Sequence, residues 1–136
     1  MPMPPKFDPQ RGHRGRGPVQ LPAEGRRGAA PDWPLAGHTS VAERERWVEL
    51  WGTPQAVAWE RLGRGCVHEV ARYCRLAVSC DDASAPASLH AQATALADRL
   101  GLTPKAMRLL LWEITADEVA EHRQTGEGVR GRIKAV

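Results

Sequence analysis

Eight of the eleven prolines in this 136-residue chain fall within its first 34 residues, together with five glycines. Proline removes a backbone donor and fixes φ, and glycine has the most backbone entropy to lose on folding. A stretch built this way cannot bury enough apolar surface to offset the cost of ordering it. Residues 1–36 are therefore expected to form a disordered arm rich in Pro, Gly and Arg. About 85 to 100 residues then remain to fold, enough for one small core. That excludes a large two-lobed enzyme.

The formal net charge of +3 is made of unlike parts. Residues 1–34 carry six basic and three acidic side chains, residues 35–122 nine and twelve, and residues 123–136 four and one. The chain reads basic, acidic, basic. Flexible cations at the ends can follow the phosphates of a polyanion, and solubility alone is the other use of such tails. Arg11, Arg14 and Arg16, then Arg26 and Arg27, are spaced or flanked by glycine. Mobile, solvated arginines of this kind suit sequence-independent contact with DNA.

The cysteines at 66, 74 and 80 are odd in number, and the proline-rich start does not resemble a secretory signal. The longest apolar run, Met107–Trp112, is broken by Arg108 and is far too short for a membrane span. A cytoplasmic protein with reduced thiols and no membrane attachment is expected. Cys66, His68, Cys74 and Cys80 do not read as a metal site, because positions 74 and 80 stand about 240° apart around a helix. There is no G-x-x-x-x-G-K-[ST] loop and no Gly-Lys pair, so any ATP chemistry would come from another chain. No cofactor and no catalytic residue is assigned, since no nucleophile or acid/base pair emerges from the spacing.

The rest of the chain reads as helices. Ser40-x-x-Glu43 is a capping box opening a helix to Trp51, with Trp47, Leu50 and Trp51 on one face. Thr53-Pro54 starts a second helix to about 62, expected to bury Val57, Ala58 and Leu62 with Trp59 at its edge. A third spans about 66–80 on a Val67, Val70, Tyr73, Cys74, Ala77 stripe. A fourth begins near Ser88 with Leu89, Ala93, Leu96 and Leu100. A fifth follows Thr103-Pro104 and fades near 121, on a Met107, Leu110, Leu111, Ile114 stripe. No segment sustains a period of two. The expected fold is all-α, a domain of about five helices over residues 37–122, with a flexible basic tail at 123–136.

The last two helices form an αα-hairpin resembling a helix-turn-helix, with Ala97, Gly101, Met107 and Leu110 as the small residue, the turn and two core positions. If the pair reads DNA, Thr103, Lys105 and Arg108 face the groove and Arg99 approaches a phosphate. Glu113, Asp117, Glu118 and Glu121 restrict that contact to the first two turns. A plain helical hairpin is the alternative. Leu109 and Trp112 fall off the expected core stripe, which points to a subunit interface.

Several segments taken in order resemble the phage terminase small subunit of actinobacterial phages and prophages. They are Leu21-Pro-Ala-Glu-Gly-Arg-Arg-Gly28, Pro31-Asp-Trp-Pro-Leu35, Glu45-x-Trp47-x-x-Leu50-Trp51-x-x-Pro54-Gln-Ala-x-Ala58-Trp59 and Leu100-Gly-Leu-Thr-Pro104. The likeness runs from about residue 18 to 122. It implies a non-catalytic DNA-packaging component that binds viral double-stranded DNA, assembles into a homo-oligomeric ring and delivers DNA to a large subunit holding the ATPase and nuclease. The resemblance supplies no catalytic residues. A helix-turn-helix transcriptional regulator and a helical protein–protein adaptor are the alternatives.

Overall fold

The computed structural model describes residues 17–115. Their order is β1 (Val19–Pro22), α1 (Val41–Trp51), α2 (Pro54–Leu62), α3 (Arg64–Cys80), α4 (Ala87–Arg99), α5 (Pro104–Leu110) and β2 (Trp112–Thr115). The fold is mostly helical, with four helices of nine residues or more and a seven-residue α5. It is not all-α. β1 and β2 pair as a parallel two-stranded sheet, Val19 against Trp112 and Leu21 against Ile114. Parallel strands need a long crossover, and here the whole helical body is that connection.

The capping box forms as its spacing predicts. Ser40 Oγ accepts from the Glu43 amide at 3.2 Å while the Glu43 carboxylate accepts from the Ser40 amide at 3.0 Å. α1 then buries Trp47, Leu50 and Trp51 and stops at Gly52. α2 is rotated from expectation. Trp59 is fully buried and Leu62 exposed, and Gln55, Ala56 and Ala58 complete the inner face. The indole wins the interior because it removes the largest apolar area and also finds a partner, its Nε1 donating to the Leu100 carbonyl at 2.8 Å. α3 is the central helix, with Val70, Ala71, Cys74 and Ala77 inside.

The segment from 17 to 36, expected in the disordered arm, is part of the fold. Leu21 is fully buried. Gly25 has φ +79°, and a Cβ there would overlap the Gly52 carbonyl, so the strap lies directly on the α1–α2 corner. Trp33, Trp47, Trp51 and Trp59 then form an edge-to-face ladder with centroids 5.1, 5.5 and 5.6 Å apart. Trp47 Nε1 donates to the Pro31 carbonyl at 2.8 Å, and Arg75 lies over Trp33 while donating to the Ala36 carbonyl at 3.0 Å. A few indoles anchor a chain whose composition alone argues for disorder, because each buries far more area than an average residue.

The fifth helix also differs. It ends at Leu110, and Leu111 takes a left-handed φ of 56°. Trp112-Glu-Ile-Thr115 continues as β2, which suits its aromatic and β-branched residues. The expected stripe does not form: Leu110, Leu111 and Ile114 are exposed, and Ala106 is the buried residue of α5. The C-terminal tail, like residues 1–16, lies outside the described residues.

Candidate nucleic-acid interface

The α4–α5 corner is locked by its own backbone. α4 ends in a Schellman motif, with the Leu102 amide donating to the Ala97 carbonyl at 2.9 Å and Gly101 to Asp98 at 3.3 Å. Gly101 sits at φ +73°, and Trp112 lies against the space a Cβ would fill. The carbonyls just past α4 receive donors from α2: Trp59 on Leu100, and Gln55 Nε2 on Gly101 at 3.3 Å. Thr103 caps α5, its hydroxyl accepting from the Ala106 amide at 3.1 Å and donating to Asp98 Oδ1 at 2.6 Å. The turn is fixed by hydrogen bonds to α2 and to the ends of α4 and α5.

Arg99, Lys105 and Arg108 project from this corner and are exposed. The five ion pairs among the described residues are Arg26–Glu60, Arg27–Glu24, Arg46–Asp81, Arg72–Glu69 and Arg75–Glu43, and none involves the corner cations. Asp98, the nearest acid in sequence, is engaged by Thr103. The candidate Thr103 is a half-buried cap whose hydroxyl donates to Asp98 and accepts from the Ala106 amide.

The arm arginines separate into three situations. Arg11, Arg14 and Arg16 lie outside the described residues. Arg27 is exposed, with a loose 3.9 Å pair to Glu24. Arg26 is built into the fold. It lies 5.6 Å from the Trp51 ring centroid, donates to the Ala29 carbonyl at 2.9 Å and pairs with Glu60 at 3.3 Å. Its guanidinium lies against Trp51 and is already engaged by Ala29 and Glu60, unlike that of Arg27. Residues 17–115 hold eleven basic and eleven acidic side chains. The chain's positive excess therefore resides in residues 1–16, which hold four basic side chains against one acidic, since residues 116–136 also balance.

Of the two expected interface residues, Leu109 is exposed, at 76 %. Trp112 is half-buried and packs on the core over Gly101. It leaves the surface because β2 turns it inward, where a continuing helix would have turned it out. Arg61 and Arg64, which flank Gly63 between α2 and α3, are also exposed and without an ion pair among the described residues, and were not singled out from the sequence. Their Arg-x-Gly-Arg-Gly spacing resembles the arm and could have flagged them.

Two thiols, Cys66 and Cys74, are held protonated. Burial pushes Cys74 up to about 12, and burial followed by the charge of Glu69 pushes Cys66 up to about 11. Asp82 is held below the usual carboxylate range by hydrogen bonds from Ser84. Among the described residues no group of three His, Cys, Asp or Glu is placed to hold a metal ion, and no helix is long and apolar enough to cross a membrane. Compared with protein-family models, characterised proteins and solved structures, this chain matches none.

Proposed function

We propose that this chain is the non-catalytic DNA-binding small subunit of a phage terminase, which recognises viral DNA, assembles into a ring and passes the DNA to a large ATPase and nuclease subunit. The observation that carries the DNA contact is the rigid α4–α5 corner, which presents Arg99, Lys105 and Arg108 without a carboxylate partner among the described residues. A fixed corner spares the entropy of ordering the cations on binding, so each phosphate contact is retained in affinity. Arg11, Arg14 and Arg16 of the N-terminal segment extend the contact along the backbone. α5 has seven residues, so base contacts are confined to Lys105 and Arg108, and most of the affinity comes from phosphates. The packaging role rests on the ordered Leu21–Gly28, Pro31–Leu35, Glu45–Trp59 and Leu100–Pro104 motifs.

The test is anisotropy of a fluorescent duplex of about 30 base pairs, titrated between roughly 50 and 200 mM salt. Changing Arg99, Lys105 and Arg108 together to alanine should lower the slope of log affinity against log salt by about three. Removing residues 1–16 should lower it further. Absence of binding at the lowest salt would refute the DNA contact. Light scattering that shows a monomer at all concentrations would refute the ring. Co-purification with a co-expressed phage terminase large subunit tests the packaging assignment.

A further inference from the structure

Beside the α4–α5 corner, Asp98, Arg99, Lys105, Ala106, Leu109 and Leu110 enclose a depression of about 220 Å³. Its walls divide by chemistry. Ala106, Leu109 and Leu110 form an apolar side, and Arg99 and Lys105 form a rim with no ion-pair partner among the described residues. The one acid in the rim, Asp98, is held by the Thr103 hydroxyl at 2.6 Å. Leu109 is the most exposed large apolar side chain described, at 76 %.

The volume lies below the roughly 300–1,000 Å³ of small-molecule sites, so the depression suits a single side chain better than a cofactor. A DNA backbone would satisfy Arg99 and Lys105 but offers nothing aliphatic to cover Leu109 and Leu110. A two-fold contact between copies of this face would set the cations of one against those of the other. The complementary occupant carries negative charge on either side of an apolar anchor.

The geometry points to a docking site for an acidic, leucine-anchored segment of a partner protein. The anchor enters between Ala106, Leu109 and Leu110, while flanking carboxylates meet Arg99 and Lys105. The site goes beyond the DNA contact proposed above and does not depend on it. It shares two cations with that contact, so DNA and the acidic segment exclude one another.

The experiment uses the full chain and a fluorescent acidic peptide with one central leucine, the leucine peptide, beside a twin carrying serine in its place. The leucine peptide should bind about tenfold more tightly than its twin, and Leu109→Ser should remove that advantage, the size expected for one interface anchor. Affinity for duplex DNA should change less than about twofold in the same variant, while Lys105→Glu should weaken both ligands. Circular dichroism should show Leu109→Ser folded, because the side chain is exposed. Equal affinity for the two peptides overturns the proposal. So does a Leu109→Ser variant that loses DNA and keeps peptide, which marks a DNA surface. Displacement of the probe by a peptide of residues 116–136, or loss of an oligomer in Leu109→Ser, also overturns it by assigning the surface to this chain itself.

Discussion

Arg26 and Lys105 are both cations beside a turn, and the fold treats them oppositely. At the tryptophan end, the strap from residue 17 lies on α1 and α2, and Arg26 is sandwiched between Trp51, the Ala29 carbonyl and Glu60. At the α4–α5 end the backbone is equally well bonded, yet Lys105, Arg108 and Leu109 stand in solvent. One end uses its charges and its largest side chains to close the core. The other spends its hydrogen bonds on a rigid corner and leaves charges and leucines free. Rigid backbone with unpaired side chains is what a binding surface requires, and rigid backbone with paired ones is what a core requires.

Substitutions can break this contrast. The largest effect is expected from Trp59→Ala, which removes a fully buried indole and leaves the Leu100 carbonyl without its donor. A loss of about 3–5 kcal/mol in urea unfolding is expected, and a midpoint that barely moves would mean the ladder is not the core. Next is Gly25→Ala at about 2 kcal/mol, against about 1 kcal/mol for Gly28→Ala. Both have positive φ, but only Gly25 is pressed against Gly52, so the difference reports the close approach of the strap.

Arg26→Ala should cost about 1–2 kcal/mol through lost packing and cation–π contact. The combined change of Arg99, Lys105 and Arg108 should stay within about 0.5 kcal/mol while weakening DNA binding and lowering its salt dependence. If Arg26→Ala instead leaves stability intact and weakens DNA binding, the two ends are not different in kind.

Near neutral pH the smallest effect is that of the thiols, which acts only in alkali. Cys66 and Cys74 titrate above the ordinary thiol value of 9.0, at about 11 and about 12. The fold prefers the protonated thiol, so this contribution is complete below pH 9.0 and is lost as pH rises through 11 and 12. Alkylation at pH 8 followed by mass spectrometry should leave Cys74 unmodified until urea is added, and stability should decline on the alkaline side. Cys74→Ala should flatten part of that decline.

Helices α1 to α4 were legible because caps and turns are local. Ser40 and Glu43 bond within one turn, Gly52 and Gly101 end helices, and Thr103-Pro104 opens one. The strands were not. Four residues are too few to show a period of two, and Val19–Pro22 becomes a strand only because Trp112–Thr115 arrives beside it. The candidate site was half legible. Arg99, Lys105 and Arg108 were singled out from charge and the turn pattern, but charge counting could not tell these exposed cations from the engaged Arg26.

By itself the sequence determined where α1, α2 and α5 start and where α1, α2 and α4 stop, that three tryptophans lie on the first two helices, and that no G-x-x-x-x-G-K-[ST] motif occurs. Those properties depend on residues within a turn of one another or on composition. The tertiary structure alone decided that a proline-rich segment would be ordered, that α5 would give way to a strand, and which arginine meets a ring and which meets water. Each of those outcomes depends on a partner tens of residues away, such as Gly52 for Gly25, Trp51 for Arg26 or Val19 for Trp112. No local pattern encodes such a pairing, because its free energy exists only once both sides are in place.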